Sequence, residues 1–137
     1  MAFKLTAPIV KEYDLVKTDK HYESEGTWVK IRQATQKENE ERARKFSQIV
    51  RKIEIDELGN EQISVVQDFC VPELMRIEAR LTLVESNIED EKGKPLFKER
   101  MPAAAFDRAW GLLAPIVAYE IHDKVLEANP TWAPAGE

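Results

Sequence analysis

The stretch from Thr35 to Val50 constrains the fold more than any other, because its spacing is that of an amphipathic helix with a marked start. Thr35 and Glu38 form a capping-box pattern, in which the threonine hydroxyl accepts from a first-turn amide and the glutamate accepts from the amide of Thr35. Apolar side chains follow at helical intervals and give one face for packing. We predict a helix from about Gln36 to Val50 with an inward stripe of Ala43, Phe46, Ile49 and Val50.

The outer face of this helix is charged. Three acidic residues each stand four positions before a basic residue, an arrangement that supports a helix by roughly 0.2–0.5 kcal/mol per pair. The expected pairs are Glu38 with Arg42, Glu40 with Arg44, and Glu41 with Lys45.

Two other stretches have the alternation of strands. Thr27 to Arg32 alternates apolar and polar residues and includes β-branched and aromatic side chains, which predicts a short strand. Ile53 and Ile55 also alternate with polar residues, and turn residues follow before a second apolar group. We predict a β-hairpin here, with Gly59 at the positive φ angle of its turn and with Ile63, Val65 and Val66 in the second strand.

A second helix is predicted from Pro72, since the missing amide hydrogen of proline costs nothing in a first turn. Its apolar residues are spaced 3, 4, 3 and 4, over about two heptads, which is short of the three or four that indicate a coiled coil. The stripe therefore fits either core packing or a seam between subunits. It consists of Leu74, Ile77, Leu81, Val84 and Ile88.

The C-terminal third contains a polar turn and two helices. Asp90 to Lys94 surrounds Gly93 and predicts a second small hairpin or a hooked loop. From Pro102 the pattern becomes helical, and Pro115 breaks it because proline removes a backbone hydrogen bond and disfavours helical angles at Ala114. A new helix should run from Pro115 to about Ala128 and stop at Asn129-Pro130, with the asparagine in a left-handed cap.

These elements predict an α+β fold that is mostly helical, with about four helices, one β-hairpin and a few short strands. The length of 137 residues is that of one domain. We expect an irregular N-terminal arm over residues 1–25, a single α+β domain over 26–129 and a loose C-terminal tail over 130–137.

Charge and hydropathy exclude several classes of protein. The formal charge is −5 and the basic residues are not clustered, which argues against nucleic acid as a partner. The longest apolar run, Ala109 to Tyr119, has 11 residues, whereas a membrane helix needs about 20. The first ten residues lack the pattern of a secretory signal, and the single Cys70 fits a reducing cytoplasm.

Catalytic chemistry also finds little support. The two histidines, His21 and His122, lack the spacing of metal ligands, and Cys70 has the surroundings of a buried thiol. No serine lies in a glycine-flanked turn, and no glycine-rich loop precedes a helix. We therefore predict a protein that is not an enzyme, with no catalytic residue, no metal and no cofactor.

Aromatic and aliphatic residues near the C-terminus are the candidates for binding a partner. Trp132 lies between two prolines in the tail, where it either contacts a partner or folds back on the last helix. A second group lines up across the Pro115 break and is either core or a groove for a partner helix. The candidate residues are Trp110, Leu113, Val117, Ile121 and Trp132.

Two parts of the chain resemble the tail assembly chaperones of phages with long, flexible tails. The segment Trp28-Val29-Lys30-Ile31-Arg32-Gln33-Ala34-Thr35, which runs into the Glu- and Arg-rich helix, is similar to the opening of these proteins. The stretch from Phe106 through Leu113-Ala114-Pro115 to Asn129-Pro130-Thr131-Trp132 is similar to their C-terminal half. The likeness covers roughly residues 28 to 132.

The resemblance implies a non-enzymatic protein in the cytoplasm of the infected cell that is absent from the mature virion. Its partner would be the tape measure protein, whose apolar helices it would keep soluble while tail tube subunits polymerise. A homo-oligomer fits this role, since repeated weak contacts along a client add up. The alternative is a small structural virion protein, such as a tail or head-completion component.

Overall fold

In the part of the chain that the structure describes, five helices and a three-stranded antiparallel sheet form the fold; this confirms the predicted α+β class, with five helices where about four were expected. The computed structural model describes residues 2–3, 5, 7–56 and 63–133, with the side chains of Val50 and residues 52–71 excepted. The elements in chain order are β1 (Val10–Asp14), α1 (Val16–Tyr22), β2 (Trp28–Arg32), α2 (Gln36–Asp56), α3 (Ile63–Thr82), β3 (Leu83–Ser86), α4 (Ala103–Gly111) and α5 (Pro115–Ala128), followed by a 3-10 turn, Pro130–Trp132.

The predicted strand at Trp28–Arg32 is confirmed and lies at the centre of the sheet, in the order β1-β2-β3. Val29 and Ile31 are fully buried, whereas the three residues that alternate with them are only partly buried. This alternation gives the sheet one core face and one solvent face, as expected for an antiparallel sheet.

The predicted irregular arm over residues 1–25 is wrong in its second half, which contains β1 and α1. β1 pairs with β2 from Val10 opposite Arg32 to Asp14 opposite Trp28. Leu15 follows and is fully buried, so it anchors this part of the chain in the core. The sequence did not predict β1 and α1 because apolar residues are sparse in this part of the chain. Both elements are ordered by contacts with residues that are distant in the sequence.

The predicted helix at Gln36–Val50 is confirmed and continues to Asp56. Its capping box is present, with the Thr35 amide 2.9 Å from Glu38 Oε1 and the Glu38 amide 3.3 Å from Thr35 Oγ1. The inward stripe is only partly right, because Ala43 is exposed while Phe46 and Ile49 are half-buried.

Charged residues of α2 pair with other elements, and none of the three predicted pairs (Glu38 with Arg42, Glu40 with Arg44, Glu41 with Lys45) is among the ion pairs of the described residues. Arg32 on β2 binds Glu38 through both carboxylate oxygens. Arg42 binds Glu78 on α3, and Arg80 Nη2 lies 3.3 Å from Glu41 Oε2. The charged face of α2, which we expected to be exposed to solvent, therefore partly packs against β2 and α3.

The predicted β-hairpin over residues 53–66 is wrong, because residues 53–56 end α2 and residues 63–66 begin α3. Its turn, Glu57 to Asn60, lies outside the described residues. Extending an existing helix adds one hydrogen bond per residue, whereas an isolated hairpin is only marginally stable. Pro72 consequently lies inside α3 and not in a first turn.

The stripe that begins at Leu74 packs into the core. Ile77 and Leu81 are buried on α3, which ends at Thr82, and Val84 already belongs to β3. The helical spacing therefore does not continue to Ile88. This arrangement favours core packing over a helical seam between subunits.

The predicted break at Ala114 is confirmed, since its ψ of 148° ends the helical path and α5 begins at Pro115. α5 ends at Ala128 as predicted, but Asn129 has a φ of −130° and is not a left-handed cap. Its side chain acts instead: Oδ1 accepts from the Ala34 amide at 2.8 Å and Nδ2 donates to the Val125 carbonyl at 3.2 Å.

The predicted loose tail over 130–137 is wrong for its first residues, which form the 3-10 turn. Trp132 is buried, and its Nε1 donates to Asn39 Oδ1 at 2.9 Å. The guanidinium of Arg42 lies over its ring, 5.2 Å from the centroid. Residues 134–137 are outside the described part.

The hydrophobic core lies between the sheet, α3 and α5. It consists mainly of aliphatic side chains from β2, α3 and α5 and aromatic side chains from the C-terminal third. Among its members are Val29, Ile31, Leu81, Phe97, Phe106, Ile121, Val125 and Trp132.

Candidate partner-binding groove

An open cavity of about 770 Å³ lies between α1, the turn that follows β3, and the junction of α4 with α5. Its apolar lining comes from all three regions, and we call this cavity the apolar groove. The apolar lining residues are Tyr22, Ile88, Leu96, Leu112, Leu113, Ala114 and Val117. A cavity of this size has the dimensions of a ligand pocket.

Two large side chains on the groove remain strongly exposed. Leu112 keeps 75% of its surface accessible and Tyr22 keeps 54%. Leu112 follows the last residue of α4, and its amide bonds to the Ala109 carbonyl at 3.1 Å, so the Pro115 break holds it at the surface. Exposing such side chains costs free energy, which a partner can recover by covering them.

The turn after β3 places carboxylates on one rim of the groove. It has the hairpin-like form predicted for Asp90 to Lys94: the Asp90 amide bonds to the Lys94 carbonyl at 2.8 Å, and Gly93 has a φ of 79°. Glu89 and Pro95 form a bridge beside it. The lining of the groove carries three carboxylates, Glu89, Asp90 and Glu91, against one cation, Lys92. The rim is therefore acidic.

The wall formed by α1 is held by a buried carboxylate on α5. Glu120 accepts from the Lys17 amide at 2.8 Å and from the Thr18 amide at 2.7 Å. These amides belong to the first turn of α1, where a helix leaves its donors unsatisfied. Glu120 therefore fixes both the start of α1 and its position against α5.

Thr18 contributes an unsatisfied polar group to this wall. It lines the groove, and its hydroxyl has no hydrogen-bond partner among the described residues. The hydroxyl oxygen is itself inaccessible to solvent, so other atoms of Thr18 face the groove.

The loop between α1 and β2 is fixed at the mouth of the groove. Asp19 accepts from the Ser24 hydroxyl at 2.9 Å and from the Thr27 amide at 3.2 Å. The hydrogen bond from Thr27 is the largest cause of the lowered pKa of Asp19; burial opposes it, and the hydrogen bond from Ser24 adds to the lowering. Asn87 closes the other side, accepting from the Trp28 amide at 2.9 Å.

The predicted partner-binding residues fall into two groups. Leu113 and Val117 line the groove, but Val117 is a buried core residue and only Leu113 has appreciable exposed surface there. Trp110 is half-buried against the core and stacks on Phe106 with 5.9 Å between ring centroids. Ile121 is fully buried and Trp132 nearly so, which means that neither has surface to offer a partner. The structure does not bring these five residues together.

Sequence reasoning missed Tyr22, Leu112 and the acidic rim as parts of one site. Leu112 had a local signal, since it lies between the helical pattern of α4 and the Pro115 break. Tyr22 had none, because it reaches the groove only through the contact of α1 with α5.

A second polar cluster joins three helices and lies away from the groove. Glu78 is buried on α3 and binds Arg42 of α2 with one carboxylate oxygen, while the other lies 2.5 Å from His122 Nε2 on α5. Both oxygens thus have internal partners, and the cluster links the three helices. Among the residues that the structure describes, no three acidic, histidine or cysteine residues are grouped as metal ligands.

Comparisons with known proteins find no matching family model, no curated protein and no solved structure that matches the chain. In the described part of the chain, no helix combines the length and the apolar character needed to cross a membrane.

Proposed function

We propose that this protein is a phage tail assembly chaperone that binds the tape measure protein and keeps it soluble while tail tube subunits are recruited. The observation that carries the proposal is the apolar groove with its exposed Leu112 and Tyr22. The likeness of residues 28 to 132 to these chaperones supports the same conclusion. The role is non-enzymatic.

The groove suits an apolar polypeptide segment. Its apolar side chains come from three separate regions, so a bound segment would bury surface from each of them. Burial of apolar surface contributes roughly 25 cal/mol per Å², and the neighbouring charged residues keep the unoccupied protein soluble. Binding to several sites along a long client would raise the overall affinity further.

Co-expression with the tape measure protein tests the proposal. We expect more of the client in the soluble fraction when the wild-type chain is present, and less when Leu112→Glu replaces it. Tyr119→Glu is the matched control, because Tyr119 is also a large exposed side chain but does not line the groove. A client that is equally soluble without this chain would contradict the proposal.

Mass spectrometry of purified virions separates this function from that of a small structural virion protein. A chaperone acts in the host cytoplasm and leaves during assembly, so its peptides should be absent from mature particles. Stoichiometric recovery of the chain from virions would favour the structural alternative.

A further inference from the structure

The chain carries an exposed apolar segment at the end of the sheet away from the groove. Residues 2 to 9, of which 2, 3, 5 and 7 to 9 are described, precede β1, and we call them the leading segment. Phe3 keeps 90% of its surface accessible and Leu5 keeps 92%. Because both side chains are apolar, covering them with another molecule lowers the free energy.

The charge of the leading segment is opposite to that of the groove rim. Residues 2 to 9 contain one lysine, Lys4, and no acidic residue. The rim carries three carboxylates, Glu89, Asp90 and Glu91, against one lysine. An apolar, basic segment and an apolar, acidic groove are complementary in both hydropathy and charge.

The geometry of the sheet directs the leading segment away from the groove of its own chain. The Ile9 carbonyl accepts from the Gln33 amide at 2.9 Å, beyond the Arg32 end of β2. The groove begins at Thr27, beyond the opposite end. The intervening strand spans about 20 Å at 3.3 Å per residue, so the segment would have to double back along all of β2.

We propose that the leading segment of one copy binds the apolar groove of a second copy, with Phe3 and Leu5 covering Leu112 and Tyr22. The contact is head-to-tail, because each copy contributes a segment to one neighbour and a groove to another. It shares the groove with the proposed function, so the client and the leading segment compete. It does not depend on what the client is.

Analytical ultracentrifugation of the full chain without a client tests the contact. The segment variant combines Phe3→Ser with Leu5→Ser, and the groove variant is Leu112→Glu. All three side chains are strongly exposed, so circular dichroism should show an unchanged fold. Each variant should raise the dissociation constant of self-association by about tenfold or more. Tyr119→Ser, outside the groove, should leave the constant unchanged.

Mixing the two variants gives the sharpest result. The segment variant retains the wild-type groove, and the groove variant retains the wild-type leading segment. An equimolar mixture should therefore form a one-to-one dimer that grows no further, at concentrations where each variant alone associates at least about tenfold more weakly than the wild type. Added salt should weaken this dimer, because opposite charges contribute to it.

Three results would overturn the contact. They are a wild-type chain that stays monomeric up to about 1 mM, the weak end of measurable affinities, a segment variant that associates like the wild type, and a mixture that forms no dimer. The absence of a dimer in the mixture would instead indicate a two-fold symmetric interface, in which both copies use the same surface. The segment variant should still solubilise the client, so failure of self-association leaves the chaperone function standing. Loss of client binding with intact self-association would refute that function alone.

Discussion

Two carboxylates complete the starts of two helices in different ways. Glu38 lies within α2 and returns to the Thr35 amide, a local arrangement that the sequence pattern announces. Glu120 accepts hydrogen bonds from the Lys17 and Thr18 amides of α1, which lie about a hundred residues earlier in the chain, so no local pattern predicts this contact. Both satisfy amide groups that a helix leaves unpaired at its start.

Glu38→Gln should lower the free energy of unfolding by about 1–2 kcal/mol near neutral pH, since it removes a charged partner of Arg32. Burial alone would raise the pKa of Glu38, but hydrogen bonds from Arg32 and the Thr35 amide outweigh it and the pKa is lowered. A lowered pKa means that this stabilisation is complete above the unfolded value of about 4.3 and is lost as the pH falls through the folded value.

The measurement is urea unfolding of wild type and Glu38→Gln at several pH values. The difference between them should be full at pH 7 and shrink on acidification. Glu40→Gln, an exposed change on the same helix, should stay within about 0.5 kcal/mol of wild type. A difference for Glu38→Gln that persists unchanged into strong acid would contradict this assignment.

Glu120→Ala should destabilise the protein by about 1–3 kcal/mol, because two first-turn amides lose their acceptor. Hydrogen exchange should show faster exchange in α1 than in wild type. Glu127→Ala, an exposed change on the same helix, provides the comparison and should have little effect. Unchanged exchange in α1 would show that Glu120 does not hold this helix.

At the scale of elements, the predictions that held depended on strong local signals. The α2 capping box, the β2 alternation and the Pro115 break each require only neighbouring residues. The hairpin predicted over residues 53–66 failed because a few alternating apolar residues also fit a helix, and the order of α1 depends on α5. The groove combines three regions of the chain, so local patterns identified Leu113 and Val117 but not Tyr22.

Two glycines in different elements should respond oppositely to alanine. Gly93 has a φ of 79° in the turn at the groove rim, where an L-residue is strained, so Gly93→Ala should destabilise by about 1–2 kcal/mol. Gly111 closes α4, and a methyl group added there would meet open space, so Gly111→Ala should stabilise by up to about 1 kcal/mol. Thermal unfolding of the two variants measures both effects, and equal shifts in the same direction would contradict the prediction.

At the scale of the whole molecule, α5 is the element around which the others are arranged. It contacts α1, α3 and β2, and four of its apolar residues are in the core. β1, in contrast, is an edge strand that pairs only with β2 within the described sheet. Stability should therefore be distributed unevenly, as is usual in folded domains.

Hydrogen exchange of the native protein measures this distribution. The amides of Val117 to Val125 should exchange slowest, and those of Val10 to Asp14 should exchange faster. Protection of β1 equal to that of α5, in the absence of self-association, would contradict this order. Measurement at low protein concentration supplies that condition, since any contact between copies weakens on dilution.

The hydrogen bonds from the α1 amides to Glu120 also have a consequence for folding during translation. A helix of seven residues has little stability alone, and the carboxylate that completes it lies in the last quarter of the sequence. While the ribosome is still translating, the early residues lack the partner that orders them. The first helix in the chain is thus expected to be among the last to fold, only after α5 has emerged.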